Sequence, residues 1–151
     1  MREIRTEITL DAPVDRVWEL LADNKLYEQW NPLFPKATGV MAVGEELEIV
    51  ISLPEMAPIV IKPKVLEFEP RSRYCWKHTQ LSAGLFTWKY SIELVTLAPD
   101  RLNIIQTSVF GGILGPLYNA TLATSVKAGM QKMNGALRRW GEKGNIQCLK
   151  C

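Results

Sequence analysis

The chain has 151 residues, 47% of them apolar and 23% charged, with a formal net charge of +2. That length suits one domain around one core and leaves no room for a second. Charges of both signs interleave, so no sustained basic stripe is present to neutralise a phosphate backbone, and nucleic acid is not an expected partner.

At the start, Met1-Arg2-Glu3-Ile4-Arg5-Thr6-Glu7 alternates charges where a secretory leader needs an apolar run. From Ile4 to Leu10 the apolar residues Ile4, Ile8 and Leu10 fall on one side of an alternating pattern, which predicts a half-buried first strand. Asp11-Ala12-Pro13 ends it, and the fixed φ of Pro13 suits the opening of a helix. Val14, Val17, Trp18 and Leu21 then share one helical face, with Asp15, Arg16 and Glu19 toward water. A second short helix carries Leu26, Tyr27 and Trp30, capped by Asp23 or Asn24. It closes at Asn31-Pro32, because the residue before proline avoids the helical region.

From about Lys36 to Phe110, short runs alternate with turn signals at roughly ten-residue spacing, which predicts six more antiparallel strands. Gly44, Leu53–Pro58, Pro70–Ser72, Ser82–Gly84 and Pro99–Asp100 separate them. The longest strands are expected at Leu85–Leu97 and Leu102–Phe110. Gly111-Gly112 and Gly115-Pro116 read as a flexible joint leading into a helix. Tyr118, Leu122, Val126, Met130, Met133, Leu137 and Trp140 then recur at spacings of three and four as far as Glu142. At 1.5 Å per residue this helix is about 40 Å long, enough to cross the domain. Residues 1–144 therefore read as one domain and 145–151 as a flexible tail.

No stretch approaches the roughly 20 apolar residues of a membrane span, so a cytoplasmic protein without stable membrane insertion is expected, as a monomer or weak homodimer. The odd count of three cysteines fits a reducing compartment. Cys148 and Cys151 have zinc or redox spacing, but no second ligand pair accompanies them, and neither a metal nor a cofactor is expected.

The order of elements places the helical cover at the two ends of the chain, so one face of the sheet is covered and an α+β class follows. A bent sheet closes imperfectly on a straight helix. Small residues in the middle of that helix, Ser125, Gly129 and Ala136, favour a void there, and an internal apolar cavity is expected.

The succession Val17-Trp18-Glu19-Leu20-Leu21-Ala22-Asp23, Trp30-Asn31-Pro32, Phe110-Gly111-Gly112 and Met133-Asn134-Gly135-Ala136-Leu137 resembles the polyketide cyclase/dehydrase and lipid-transport proteins of the SRPBCC (START-like) superfamily. The likeness covers nearly the whole chain. It implies a helix-grip fold: a seven-stranded curved antiparallel sheet wrapped around the long C-terminal helix, two short helices after the first strand, and a ligand between sheet and helix. Such motifs speak for fold more than for activity.

The resemblance also implies that Ile92 and Leu94 point inward, and alternation then turns Phe86, Trp88 and Tyr90 the same way. On that assumption the neighbouring strands contribute Ile104, Gln106, Ser108 and Phe110, then Tyr74, Trp76 and His78, and an earlier strand Ile49 and Ile51. From the helix, Leu122, Ser125, Val126, Gly129, Met130 and Met133 complete the expected lining. Such a mostly apolar surface with a few polar groups suits a small hydrophobic molecule, whether lipid, polyketide or aromatic. Its entrance is expected between Leu53–Pro58 and Gly111–Gly115.

Two functions follow from the resemblance: a carrier for that molecule, or a polyketide cyclase/aromatase-like enzyme using the same cavity. For the second, His78, Tyr90 and Ser108 are the catalytic candidates, His78 because it is the sole histidine and titrates nearest neutrality. A surface histidine, and polar groups bonded to each other, are the structural alternatives. An interaction module, as in the family's co-chaperone or coenzyme Q-binding members, has no exposed amphipathic or basic segment to support it.

Overall fold

A computed structural model describes residues 3–80 and 84–143. Leu81–Ala83 and the Cys148/Cys151 tail pair lie outside the described residues. The chain runs β1 (Glu3–Leu10), α1 (Val14–Ala22), a single 3-10 turn (Asn24–Leu26), α2 (Tyr27–Trp30), β2 (Lys36–Thr38), β3 (Glu48–Ile51) and β4 (Ile59–Ile61). It continues through β5 (Lys64–Glu69), β6 (Arg73–Gln80), β7 (Phe86–Ala98) and β8 (Arg101–Gly111) into α3 (Gly115–Lys143). Five strands pair antiparallel in the order β1-β8-β7-β6-β5, and three more in the order β2-β3-β4.

The described residues thus hold eight strands rather than the seven expected. The difference lies at Lys62-Pro63, inside what reads in sequence as one strand from Ile59 to Glu69. Pro63 has no N–H to give to a ladder, so pairing stops there and the chain turns from the smaller sheet into the larger. The freed carbonyl of Pro63 accepts from Leu47 N at 2.8 Å, and an isolated Glu46–Lys64 bridge joins the two sheets.

Alternation holds along the long strands: Phe86, Trp88, Tyr90, Ile92 and Leu94 of β7 are buried, as are Leu102, Ile104, Gln106, Ser108 and Phe110 of β8. Against this face α3 lays Val126, Met130, Met133, Ala136 and Leu137, all fully buried. Each of the four larger ones contributes about 1.5–3 kcal/mol by leaving water, which outweighs the penalty of about 1 kcal/mol for Gly129 in the helix interior. The joint before α3 is pinned rather than loose. Ile113 N donates to Gly84 O at 3.0 Å and Leu114 N to Leu85 O at 2.8 Å. Gly112 has φ +83, and a Cβ there would stand 2.6 Å from Leu85 O, so the close approach requires glycine.

Candidate functional site

The register of the large sheet sets the inner face in rungs. His78 lies opposite Trp88, and Trp88 opposite Phe110; Trp76 lies opposite Tyr90, and Tyr90 opposite Ser108; Tyr74 lies opposite Ile92, and Ile92 opposite Gln106. Aromatic rings therefore meet across strands. Trp76 stands 5.3 Å from Tyr90 and 5.8 Å from Trp88 between ring centres, Trp88 is 5.2 Å from Phe110, Phe110 is 5.6 Å from Phe86, and Phe86 is 4.3 Å from Tyr118 of α3. Phe34, from the loop after α2, adds edge contacts to Tyr90 at 5.0 Å and Trp76 at 6.0 Å. A continuous aromatic path so runs from the middle of the sheet to the start of the helix.

One polar chain crosses this interior. Tyr90 OH donates to Gln106 Oε1 at 2.6 Å, Gln106 Nε2 donates to Asn134 Oδ1 at 2.6 Å and to Met130 O at 3.0 Å, and Asn134 Nδ2 donates to Thr6 Oγ1 at 3.1 Å. Burial holds the Tyr90 hydroxyl well above its ordinary pKa, so it stays a donor. Trp88 Nε1 donates to Ser108 Oγ at 3.2 Å, and Ser108 in turn contacts Met130 Sδ at 3.6 Å. A second pair sits nearby. Tyr27 OH donates to Leu21 O at 2.6 Å and lies 3.1 Å from Tyr74 OH, whose pKa burial pushes up to about 12.

The three catalytic candidates share the inner face but form no hydrogen bond with one another: Tyr90 and Ser108 are cross-strand neighbours with separate partners, and His78 sits one rung nearer the strand end. His78 is half-buried, and burial lowers its pKa while a backbone hydrogen bond at Lys62 opposes that shift. Its Nδ1 has no partner.

Of the expected lining, Ile49, Ile51, Trp76, Phe86, Trp88, Tyr90, Ile104, Phe110, Val126, Met130 and Met133 form one buried cluster. Leu122 packs on its margin and Ser125 is half-buried. At Gly129 the space expected as a hollow is taken by side chains of two loops: a Cβ there would meet Leu33 Cδ1 at 2.8 Å and Leu53 Cδ2 at 3.3 Å. Leu33 and Phe34 are held there by Asn31, whose Oδ1 accepts from both of their backbone N–H groups at 3.0 and 2.9 Å. Sequence reading saw Asn31 as a turn residue but not what the turn delivers.

Beside this packed region is a narrow apolar crevice, nowhere wide enough to seat a water molecule. Tyr27, Phe34, Ala37, Met41, Leu47, Ile49, Tyr74 and Trp76 line it. Trp76 is 1% exposed, and its indole N–H is buried without an acceptor. Nothing in the sequence announced this, because an orphaned donor is a property of the packing around it.

Residues 1–142 match the family described as polyketide cyclase / dehydrase and lipid transport. No curated protein matches significantly. Among solved structures, the Zhui aromatase/cyclase from Streptomyces sp. R1128 is similar at 18% identity and TM-score 0.74, over 96% of this chain and 94% of that one. A START superfamily protein from Mycobacterium smegmatis is similar at 14% identity and TM-score 0.71, over 93% and 97%. DynU16, a protein of the dynemicin biosynthetic locus, is similar at 22% identity and TM-score 0.69, and this chain spans 48% of its length.

Proposed function

Because this chain belongs to the polyketide cyclase/dehydrase and lipid-transport family, we propose that it binds a small, mainly apolar molecule between the inner sheet face and α3, and that Trp76 Nε1 donates a hydrogen bond to that ligand. The supporting observation is the orphaned indole N–H. An unsatisfied buried donor costs about 1–3 kcal/mol, and a carbonyl or hydroxyl oxygen on a ligand removes that cost. The aromatic path from Trp76 to Tyr118 favours a ligand with fused or conjugated rings, which stack on such surfaces. Entry requires Leu33 and Leu53 to move aside, and both come from connecting segments rather than from the middle of a strand or helix. Tyr90 and Gln106 through their mutual bond, and Ser108 through the bond it accepts from Trp88, hold the walls of the site.

The proposal is tested with 1-tetralone, an aromatic ketone, and with tetralin, its counterpart lacking the oxygen. Trp76→Phe keeps an aromatic ring and removes the donor, so affinity for the ketone should fall about threefold to tenfold, as expected for one neutral hydrogen bond. Affinity for tetralin should stay unchanged in calorimetric titration. Equal loss for both compounds, or for neither, would sink the assignment of Trp76.

A second reading, cyclase-like catalysis on a ligand in the same interior, is favoured by His78. Burial keeps its imidazole neutral near neutral pH, and the unpartnered Nδ1 is free to accept a proton from an activated carbon or hydroxyl. Under this reading His78→Ala removes turnover of a poly-β-ketone while leaving binding intact.

A further inference from the structure

The outer face of the large sheet carries a feature that no linear stretch of the sequence displays. Lys64 of β5 lies directly opposite Lys77 of β6, and Lys77 directly opposite Lys89 of β7. All three are exposed, and none has an ion-pair partner among the described residues. Like charges placed directly across strands repel. Of the carboxylates on this face, Glu67 holds Arg73 at 2.7 Å and Glu7 holds Arg5 at 3.1 Å, while Glu3 ends the lysines' own rung one strand beyond Val109. None of them forms an ion pair with a lysine of the row.

We infer that this row is a docking surface for an acidic helix of a partner protein. Adjacent strands are about 4.8 Å apart, so three lysines in register form a straight line of ammonium groups rooted at that pitch. Acidic side chains three or four residues apart on a helix repeat at about 5–6 Å along one face, which matches it. The rungs on either side of the row carry small side chains, Thr79 and Thr87 on one and Ser91 and the fully buried Cys75 on the other. They offer no apolar wedge for a lipid surface. Glu67 and Glu93 further confine the positive field to a line, whereas an anionic bilayer presents a plane. The row lies three residues along β6 from Gln80, the end of the sheet that faces the loop before α3. A partner docked there stands beside that end.

The test uses a fluorescent alanine-based helical peptide with glutamates in one stripe, and an isomer of equal composition with the glutamates dispersed around the helix. By anisotropy, the full chain should bind the striped peptide at least about tenfold tighter than the isomer, with affinity falling as salt rises. Lys77→Glu should abolish that preference while melting no lower than the parent, since a carboxylate there faces Lys64 and Lys89. That pairing of results separates docking from folding. Equal binding of both peptides, no binding of either, preference retained in Lys77→Glu, or binding only to phosphatidylglycerol vesicles would overturn the inference.

Discussion

Gln106 is the side chain on which most of the interior's polar bonding converges. It accepts from Tyr90, donates to Asn134 and reaches the backbone of Met130, tying β7, β8 and α3 together inside an apolar core. Gln106→Met keeps the shape but leaves the Tyr90 hydroxyl only the weak acceptor Met133 Sδ, at 3.7 Å, and Asn134 Oδ1 without a donor. A loss of about 2–4 kcal/mol is expected in urea denaturation, since each orphaned group costs about 1–3 kcal/mol. A loss below about 0.5 kcal/mol would show that water replaces these bonds. Gln106 was legible in sequence as an inward polar residue, because alternation on β8 is strict. Its partners were not, since Tyr90 and Asn134 lie 16 and 28 positions away and only folding brings them to it.

At the scale of elements, the turn after α2 decides how the interior is filled. Asn31 Oδ1 fixes the backbone of Leu33 and Phe34, and these deliver one side chain against Gly129 and another against Trp76 and Tyr90. Asn31→Ala should therefore cost about 1–2 kcal/mol, the usual effect of losing a side-chain cap. It should also speed ligand entry and release in stopped-flow fluorescence, because Leu33 is less firmly held. Asn31→Asp retains the accepting oxygen and should restore most of the stability; failure to do so would assign the effect to something other than the turn. The helices and long strands were readable because periodicity extends over many residues, as in β7, β8 and α3. Lys62-Pro63 was missed because a corner between two sheets interrupts the pattern by only two residues. The lysine row was missed for a related reason: its members are 12 or 13 positions apart, and only the register aligns them.

For the molecule as a whole, the single histidine couples stability to pH. Burial lowers the pKa of His78 in the folded state below its ordinary value of 6.5, so the unfolded chain takes up a proton first as pH falls. Stability is then fully present above about pH 6.5 and declines between there and the folded-state pKa, below which both states are protonated and the slope vanishes. His78→Gln should flatten that part of the profile in urea titrations at stepped pH, and an unchanged slope would contradict the assignment. The same neutral imidazole borders the aromatic path at Trp88, so folding and any proton transfer inside the site share one titration.

The most direct check on the proposed binding mode is the indole ¹H–¹⁵N resonance of Trp76, assigned by its disappearance in Trp76→Phe. Titration with 1-tetralone should move it downfield as its N–H gains an oxygen acceptor, while tetralin perturbs the surrounding aromatic signals without that shift. A ketone that saturates the protein and leaves the Trp76 indole proton where it was would contradict the proposal.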